Sequence, residues 1–215
     1  MILEILGKKM LLFMIFSIFF ILSCNNKASN ESINEQDNFK LKDKEMSYNI
    51  DEIPETAKKA YFSSGCFWGT EYWFEKLDGV YAVISGYAGG HKENPTYQEV
   101  TTGLTGHLET VEVIYDPNKV SYEDLVKLYY ETHNFEQKNG QGPDIGSQYL
   151  SAIFYQNDAE KEMAEKYFNL LVSKGYKPAT MIKPYKNFYP AEDYHQDYYE
   201  RKGSLPYCHF YNKIF

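Results

Sequence analysis

A lone cysteine between a predicted strand and a predicted helix is the feature that most constrains this chain. Residues 60–63 are typical of a short β-strand, and apolar residues recur at helical spacing after Cys66. We expect Gly65 to allow a sharp turn and Ser63 or Ser64 to cap the helix.

A thiol in this position has two interpretations. Unpaired N–H groups and the positive end of the helix dipole favour the thiolate, which predicts that Cys66 is a nucleophile. A free cysteine is also often buried as a structural residue, and position alone does not separate the two roles.

Composition limits the possible partners. The chain has 215 residues and a formal net charge of -8, and no basic patch stands out, so we do not expect nucleic acid to bind. The three cysteines, Cys24, Cys66 and Cys208, form no C-x-x-C pair and no cluster with histidine at zinc spacing. The sequence therefore predicts neither a disulfide scaffold nor a bound metal.

Residues 1–24 are predicted to be an export signal. An apolar run over 10–22 follows two lysines and is too short for a comfortable membrane span. Ser23 directly before Cys24 resembles the lipobox of bacterial lipoproteins, in which the cysteine becomes the lipidated first residue. The alternatives are an uncleaved anchor or a plain signal peptide, and all three place the protein outside the inner membrane.

The rest of the chain divides at about residue 57. Residues 25–56 are polar and without period, which predicts a flexible tether. Residues 57–215 have the pattern of one folded domain, in which strands and helices interleave irregularly. We expect an α+β fold, a two-layer sandwich of a mixed β-sheet with packed helices and an irregular C-terminal tail.

Alternation over 109–115 points to a second candidate residue. Glu109 has the same parity as Val111 and Val113, so all three are expected on one face of a strand. A carboxylate at the end of an apolar face tends to be desolvated, which raises its pKa. The alternative is an edge carboxylate in water.

Several motifs in a fixed order resemble the A-type peptide-methionine sulfoxide reductases. The resemblance covers residues 58–208 and implies a ferredoxin-like, αβ-plait core. The matching stretches are GCFWG at 65–69, GYAGG at 86–90, NPTYQEV at 94–100, TGH at 105–107 with Glu109, DIGSQY at 144–149 and AEDYHQ at 191–196.

The resemblance implies a reaction and roles for named residues. Cys66 would attack the sulfur of methionine-S-sulfoxide, in proteins and as the free amino acid, and would become a sulfenic acid. Glu109 would be the acid, and Tyr97 and Tyr149 would hydrogen-bond the sulfoxide oxygen. With 21 tyrosines in the chain, only the motif selects these two.

The same resemblance implies a pocket. Phe67 and Trp68 would enclose the methyl group of the substrate, although both also suit the core of the first helix. Asp144 would shape the polar side of the pocket, or else would simply be a turn residue before Gly146.

Cys208 matches the resolving cysteine of the family. A disulfide between Cys66 and Cys208 would be reduced by a thioredoxin-like donor, with no bound cofactor. The predicted tail around Cys208 looks mobile, which suits a thiol that approaches late. The alternative, a static disulfide, would leave no nucleophile.

Two other classes of protein compete with the reductase. A cysteine hydrolase would pair Cys66 with His107 or His195 and would not need Cys208. A tethered binding protein would use its aromatic residues alone. Neither class accounts for Cys66, Glu109 and Cys208 together. We also expect the protein to be a monomer.

Overall fold

The computed structural model describes residues 53–215. The predicted export signal, Cys24 and nearly all of the predicted tether lie outside the described residues. Within 53–215, none of the helices combines the length and the apolar character needed to cross a membrane.

Eight strands and five α-helices make up this region, together with 3-10 turns at Ser147–Tyr149 and Asp193–His195. The strands are β1 (Lys58–Ser64), β2 (Val80–Ala88), β3 (Leu108–Tyr115), β4 (Gly140–Gln141), β5 (Asp144–Ile145), β6 (Ser151–Tyr155), β7 (Met181–Pro184) and β8 (Phe188–Pro190). The helices are α1 (Phe67–Glu75), α2 (Tyr97–Thr101), α3 (Tyr122–Glu131), α4 (Asp158–Ser173) and α5 (Tyr198–Lys202).

Six of the strands form one mixed sheet. Its order is β7-β6-β1-β3-β2-β8, and β4 and β5 form a separate two-stranded hairpin. Strands β6 and β7 are parallel, whereas the other neighbours in the large sheet are antiparallel. The predicted α+β class and mixed sheet are therefore confirmed.

The main core lies between this sheet and the helices. Helix α1 packs on β1, β2 and β3, and α3 packs on α1 and β1. Phe62 of β1 stacks on Phe74 of α1 with ring centroids 4.9 Å apart. A smaller apolar cluster around Tyr61 and Phe154 covers the opposite face.

Two of the helices, α2 and α3, begin at capping boxes. At the start of α3, Asp124 N donates to Ser121 Oγ at 3.1 Å and Ser121 N donates to Asp124 Oδ2 at 3.1 Å, which is the reciprocal pattern of a capping box. Thr96 and Glu99 form a second box at the start of α2. The start of α2 is therefore held rigidly, although the helix has only 5 residues.

The expected serine cap of α1 is wrong. Cys66 itself occupies the N-cap position, and no side chain of that position caps the helix. Ser64 Oγ instead lies 2.7 Å from Thr70 Oγ1. Gly65 turns the chain with φ +100, and a Cβ there would lie 2.3 Å from Gln141 Cβ, so the tight turn requires glycine.

Candidate active site

Cys66 lies where β1 ends and α1 begins, and its side chain is 6% exposed. Burial raises the pKa of the Cys66 thiol well above its usual range, and the nearby Glu109 carboxyl adds to this rise. A hydrogen bond from the Trp68 backbone N–H lowers the pKa, as expected at a helix start, but by less. The expectation that helix position alone favours the thiolate is therefore wrong, because desolvation outweighs the helix end.

Glu109 lies directly against the start of α1. Its Oε2 accepts from the Phe67 backbone N–H at 3.0 Å, so this side chain from β3 satisfies the first N–H of the helix. Glu109 is 1% exposed, and Val111 and Val113, of the same parity, lie in the main core. Burial raises the pKa of Glu109 to about 8. At neutral pH the carboxyl is therefore protonated and able to donate its proton.

Tyr97 and Tyr149 come together from separate turns. Tyr97 is the first residue of α2, and Tyr149 ends the 3-10 turn before β6. Burial raises the pKa of both phenols, and the Glu109 carboxyl contributes to each rise. A hydrogen bond between the two side chains opposes the rise at Tyr97. Two phenolic groups therefore face the same region as Glu109.

Glu192 holds Tyr97 in place. Its Oε1 accepts from the Tyr97 backbone N–H at 2.9 Å, and its Oε2 accepts from the Tyr87 hydroxyl at 2.8 Å. The local sequence pattern does not predict this role for Glu192. The available signal was its position inside the matching 191–196 motif.

An aromatic wall lies beside these polar groups. Phe67 is buried, and its ring centroid lies 4.9 Å from that of His195. The Trp68 indole stacks on Tyr198 at 3.7 Å and donates from Nε1 to His195 Nδ1 at 3.2 Å. His195 also contacts the Tyr97 ring at 4.4 Å. These rings form an apolar surface suited to a methyl group.

Asp144 faces the second cysteine. The Tyr207 hydroxyl donates to both of its carboxylate oxygens, at 2.9 and 2.7 Å. The Asp144 carboxylate raises the pKa of both Cys66 and Cys208, so it lies close to both thiols. Asp144 lies in β5 of a tight hairpin. A role in the turn alone would not account for its contacts with Tyr207 and the two thiols.

The tail that carries Cys208 is irregular but packed, so the expectation of a loose end is wrong. Cys208 is 8% exposed, and burial raises the pKa of its thiol to about 12. The chain end is held by Glu131, whose Oε1 accepts from the backbone N–H groups of Ile214 at 2.8 Å and Phe215 at 2.9 Å. These contacts join the tail to α3, a helix that is distant from the tail in sequence.

Cys66 and Cys208 are both free thiols in this structure. Glu109 and Asp144 raise the pKa of both thiols, and a Cys208 thiolate would raise the pKa of Cys66 directly. The two sulfurs therefore share one site. Cys208 also lines a surface cavity of about 430 Å³ together with Gln141 and Tyr207.

The two histidines of the hydrolase hypothesis are engaged elsewhere. His107 Nδ1 accepts from the Gly90 N–H at 3.2 Å, and its Nε2 lies 2.7 Å from the Lys92 carbonyl oxygen. His195 is paired with Trp68. A cysteine hydrolase needs an imidazole in contact with the nucleophile, so this arrangement does not favour that class.

Two glutamates of α1 form an acidic cluster with Asp197. Carboxylate oxygens of Glu71, Glu75 and Asp197 lie within 4.8 Å of one another. Burial raises the pKa of Glu71 to about 8 and that of Glu75 to about 9. At neutral pH these two groups hold protons, which suits a hydrogen-bonded cluster better than a cation site.

Comparison with known proteins identifies the family. The family model described as peptide methionine sulfoxide reductase matches residues 58–214. Peptide methionine sulfoxide reductase MsrA of Nautilia profundicola is 47% identical over 150 residues, which are 70% of this chain and 87% of that protein. The chain therefore belongs to the peptide methionine sulfoxide reductase family.

Solved structures agree with this assignment. Mxr1 from Saccharomyces cerevisiae in reduced form has a TM-score of 0.69 and 32% sequence identity, and the match covers 79% of this chain and 98% of that chain. Mxr1 in complex with Trx2 has a TM-score of 0.51 and 25% identity, with coverage of 79% and 97%.

Proposed function

We propose that this protein reduces methionine-S-sulfoxide, in proteins and as the free amino acid, and so repairs oxidative damage. The observation that carries the proposal is the meeting of the Cys66 thiol and the Glu109 carboxyl at the start of α1, where Glu109 accepts from Phe67 N–H at 3.0 Å. Family membership and the shared site of two free thiols support it.

In the first step the Cys66 sulfur attacks the sulfur of the sulfoxide. Glu109 gives its proton to the sulfoxide oxygen and takes the Cys66 thiol proton in its place, since the pKa of Glu109, about 8, leaves it protonated at neutral pH. The protonated oxygen then moves from the methionine sulfur to the Cys66 sulfur while the new S–S bond breaks, so methionine leaves and Cys66 becomes a sulfenic acid. Tyr97 and Tyr149 donate hydrogen bonds to the oxygen, and Phe67 and Trp68 hold the methyl group.

In the second step Cys208 condenses with the sulfenic acid. A disulfide between Cys66 and Cys208 forms, and water leaves. Asp144, which faces both thiols, shapes the polar side of this site. A thioredoxin-like dithiol then reduces the disulfide through a mixed disulfide. The Trx2 complex of Mxr1 and the open cavity beside Cys208 support such a donor.

The four central strands support the finer fold assignment, a ferredoxin-like plait. Their order β6-β1-β3-β2, with antiparallel neighbours, corresponds to strands 4-1-3-2 of a βαββαβ unit. Helices α1 and α3 supply the two helical positions of that unit. An experimental structure with another strand order would contradict the assignment.

The proposal also includes export. The apolar run and Ser23-Cys24 support a signal peptide over 1–24, lipidation at Cys24 and a tether over 25–56 that holds the 57–215 domain outside the inner membrane as a monomer. Membrane attachment that persists in a Cys24→Ala variant, or a dimer in sedimentation, would contradict these parts.

Cysteine variants test the function. Cys66→Ser should release no methionine, because it removes the atom that attacks the sulfoxide. Cys208→Ser should release about one methionine per protein and then stop in the presence of thioredoxin, because the sulfenic acid cannot become a disulfide. Rapid-quench measurement of methionine release distinguishes the behaviour of the two variants. Continued turnover by Cys66→Ser would refute the proposal.

A further inference from the structure

His209 connects the two parts of the protein that carry the cysteines. Its imidazole is 1% exposed, and its Nε2 lies 2.8 Å from the Ser64 carbonyl oxygen. The ring lies against Gly69, where a Cβ would come within 2.2 Å of Nδ1. Ser64 ends β1 and Gly69 lies in α1, so His209 is inserted between the two elements that flank Cys66.

This contact fixes the tautomer of the imidazole. A carbonyl oxygen can only accept, so Nε2 of His209 carries the proton and Nδ1 presents its lone pair. Cys208 Sγ lies 3.1 Å from Nδ1, and the thiol is therefore the donor of that hydrogen bond. Burial lowers the pKa of His209 to about 4, which keeps the ring neutral and its lone pair available at neutral pH.

Cys208 needs such an acceptor. Burial raises the pKa of its thiol to about 12, and the Asp144 carboxylate adds to this rise, so free thiolate is scarce at neutral pH. The Asp144 carboxylate also hydrogen-bonds the Cys208 thiol, but both of its oxygens already accept from the Tyr207 hydroxyl. Attack by Cys208 must therefore be accompanied by loss of its proton to a group in contact.

We propose that His209 is the general base of the resolving step. The inference rests on the proposed function, since it concerns the fate of the Cys66 sulfenic acid. The Cys208 sulfur forms a bond to the Cys66 sulfur while the S–O bond of the sulfenic acid breaks. His209 Nδ1 takes the thiol proton and passes it to the departing hydroxyl, which leaves as water. Cys208 is oxidised and Cys66 is reduced, so no outside oxidant is required.

The test separates methionine release from disulfide formation in one reaction. The reduced full-length protein is mixed with methionine-S-sulfoxide, and both methionine and the loss of the second thiol are followed by rapid quench. His209→Gln places an amide near the position of Nε2 but has no acceptor at Nδ1. Phe210→Ala, at a neighbouring side chain that is 68% exposed, is the matched control.

For His209→Gln we expect the rate of disulfide formation, divided by the rate of methionine release, to fall roughly a hundredfold or more. The Phe210→Ala ratio should match that of the natural protein. Equal ratios in all three proteins would overturn the proposal and leave His209 a packing residue. Absence of methionine release from the natural protein would instead refute the proposed function.

The pH profile of the natural protein gives a test that needs no variant. The titratable groups that face the Cys208–His209 pair are Asp144, Glu109, Cys66, Tyr199, Tyr207 and His133. Between about pH 5.5 and 7.5, where Glu109 keeps its proton, we expect a nearly level rate of disulfide formation because neutral His209 is the acceptor. A tenfold rise per pH unit would show that free thiolate reacts, and it would overturn the proposal.

Discussion

At the scale of single residues, Glu109 shows how burial produces an acid at neutral pH. The carboxyl is 1% exposed, and its partner is a backbone N–H rather than a cation. An N–H donor lowers the pKa of Glu109, but the desolvation of the charged form raises it by more. The same burial keeps Cys66 in its thiol form, so the reduced site holds two protons that the reaction can use.

The rate of methionine release should therefore depend on Glu109 and on pH. With the pKa of Glu109 at about 8, the single-turnover rate should fall above about pH 8, as the acid form is lost. Glu109→Gln should lose this decline and should be slower by roughly 10²–10⁴ at pH 7. Rapid-quench measurement across pH tests both effects, and a variant as fast as the natural protein would remove Glu109 from the acid role.

The same group should make stability fall as pH rises. The pKa of Glu109 is 4.5 without burial and about 8 in the folded protein, so between these values the folded state holds a proton that the unfolded state releases. Glutamine does not titrate. The free energy of unfolding of Glu109→Gln, relative to the natural protein, should therefore increase between pH 4.5 and 8, by on the order of 4 kcal/mol.

Urea denaturation of both proteins at pH 5 and pH 8 measures this difference. Other buried carboxyls, such as Glu71, are common to both proteins and cancel. A difference in unfolding free energy that stays constant with pH would mean that Glu109 ionises normally in the folded state.

At the scale of elements, two similar capping boxes have different consequences. The box at Thr96 starts α2 directly before Tyr97, whereas the box at Ser121 starts α3, which lies in the helix layer. Each box should stabilise the protein by roughly 1 kcal/mol. The Thr96 box alone should also affect the site, because it sets the position of the Tyr97 phenol.

Thr96→Ala and Ser121→Ala therefore form a matched pair. Both variants should lose roughly 1 kcal/mol of unfolding free energy. The single-turnover rate should fall several-fold in Thr96→Ala and stay unchanged in Ser121→Ala, because a small displacement of a hydrogen-bond donor weakens its effect on the sulfoxide oxygen. Equal rates in the two variants would show that Tyr97 does not depend on this cap.

Local sequence patterns predicted those elements whose determinants are local. The alternation over 109–115 placed Glu109 on the core side, and Ser121 with Asp124 marked the start of α3. The contacts of the tail were not predictable in this way. His209 contacts Ser64 and the chain end contacts Glu131, both distant in sequence. The burial that keeps Cys66 in its thiol form likewise depends on the tertiary structure rather than on the local sequence.

At the scale of the whole molecule, the site combines segments that are distant in sequence. Cys66 lies after β1, Glu109 in β3, Tyr97 in α2, Asp144 in the β4–β5 hairpin and Cys208 in the tail. The sheet brings β1 and β3 side by side, with Phe62 opposite Val111. This pairing puts the nucleophile and the acid at the same end of the two central strands, which is the basis of the proposed chemistry.

The most direct measurement is a single turnover of the reduced protein with S- and R-methionine sulfoxide, followed by a count of free thiols. The account predicts methionine from the S form alone and the loss of two thiols, Cys66 and Cys208. Loss of a single thiol would contradict the resolving role of Cys208. No methionine from either form, with both thiols intact, would contradict the proposed function itself.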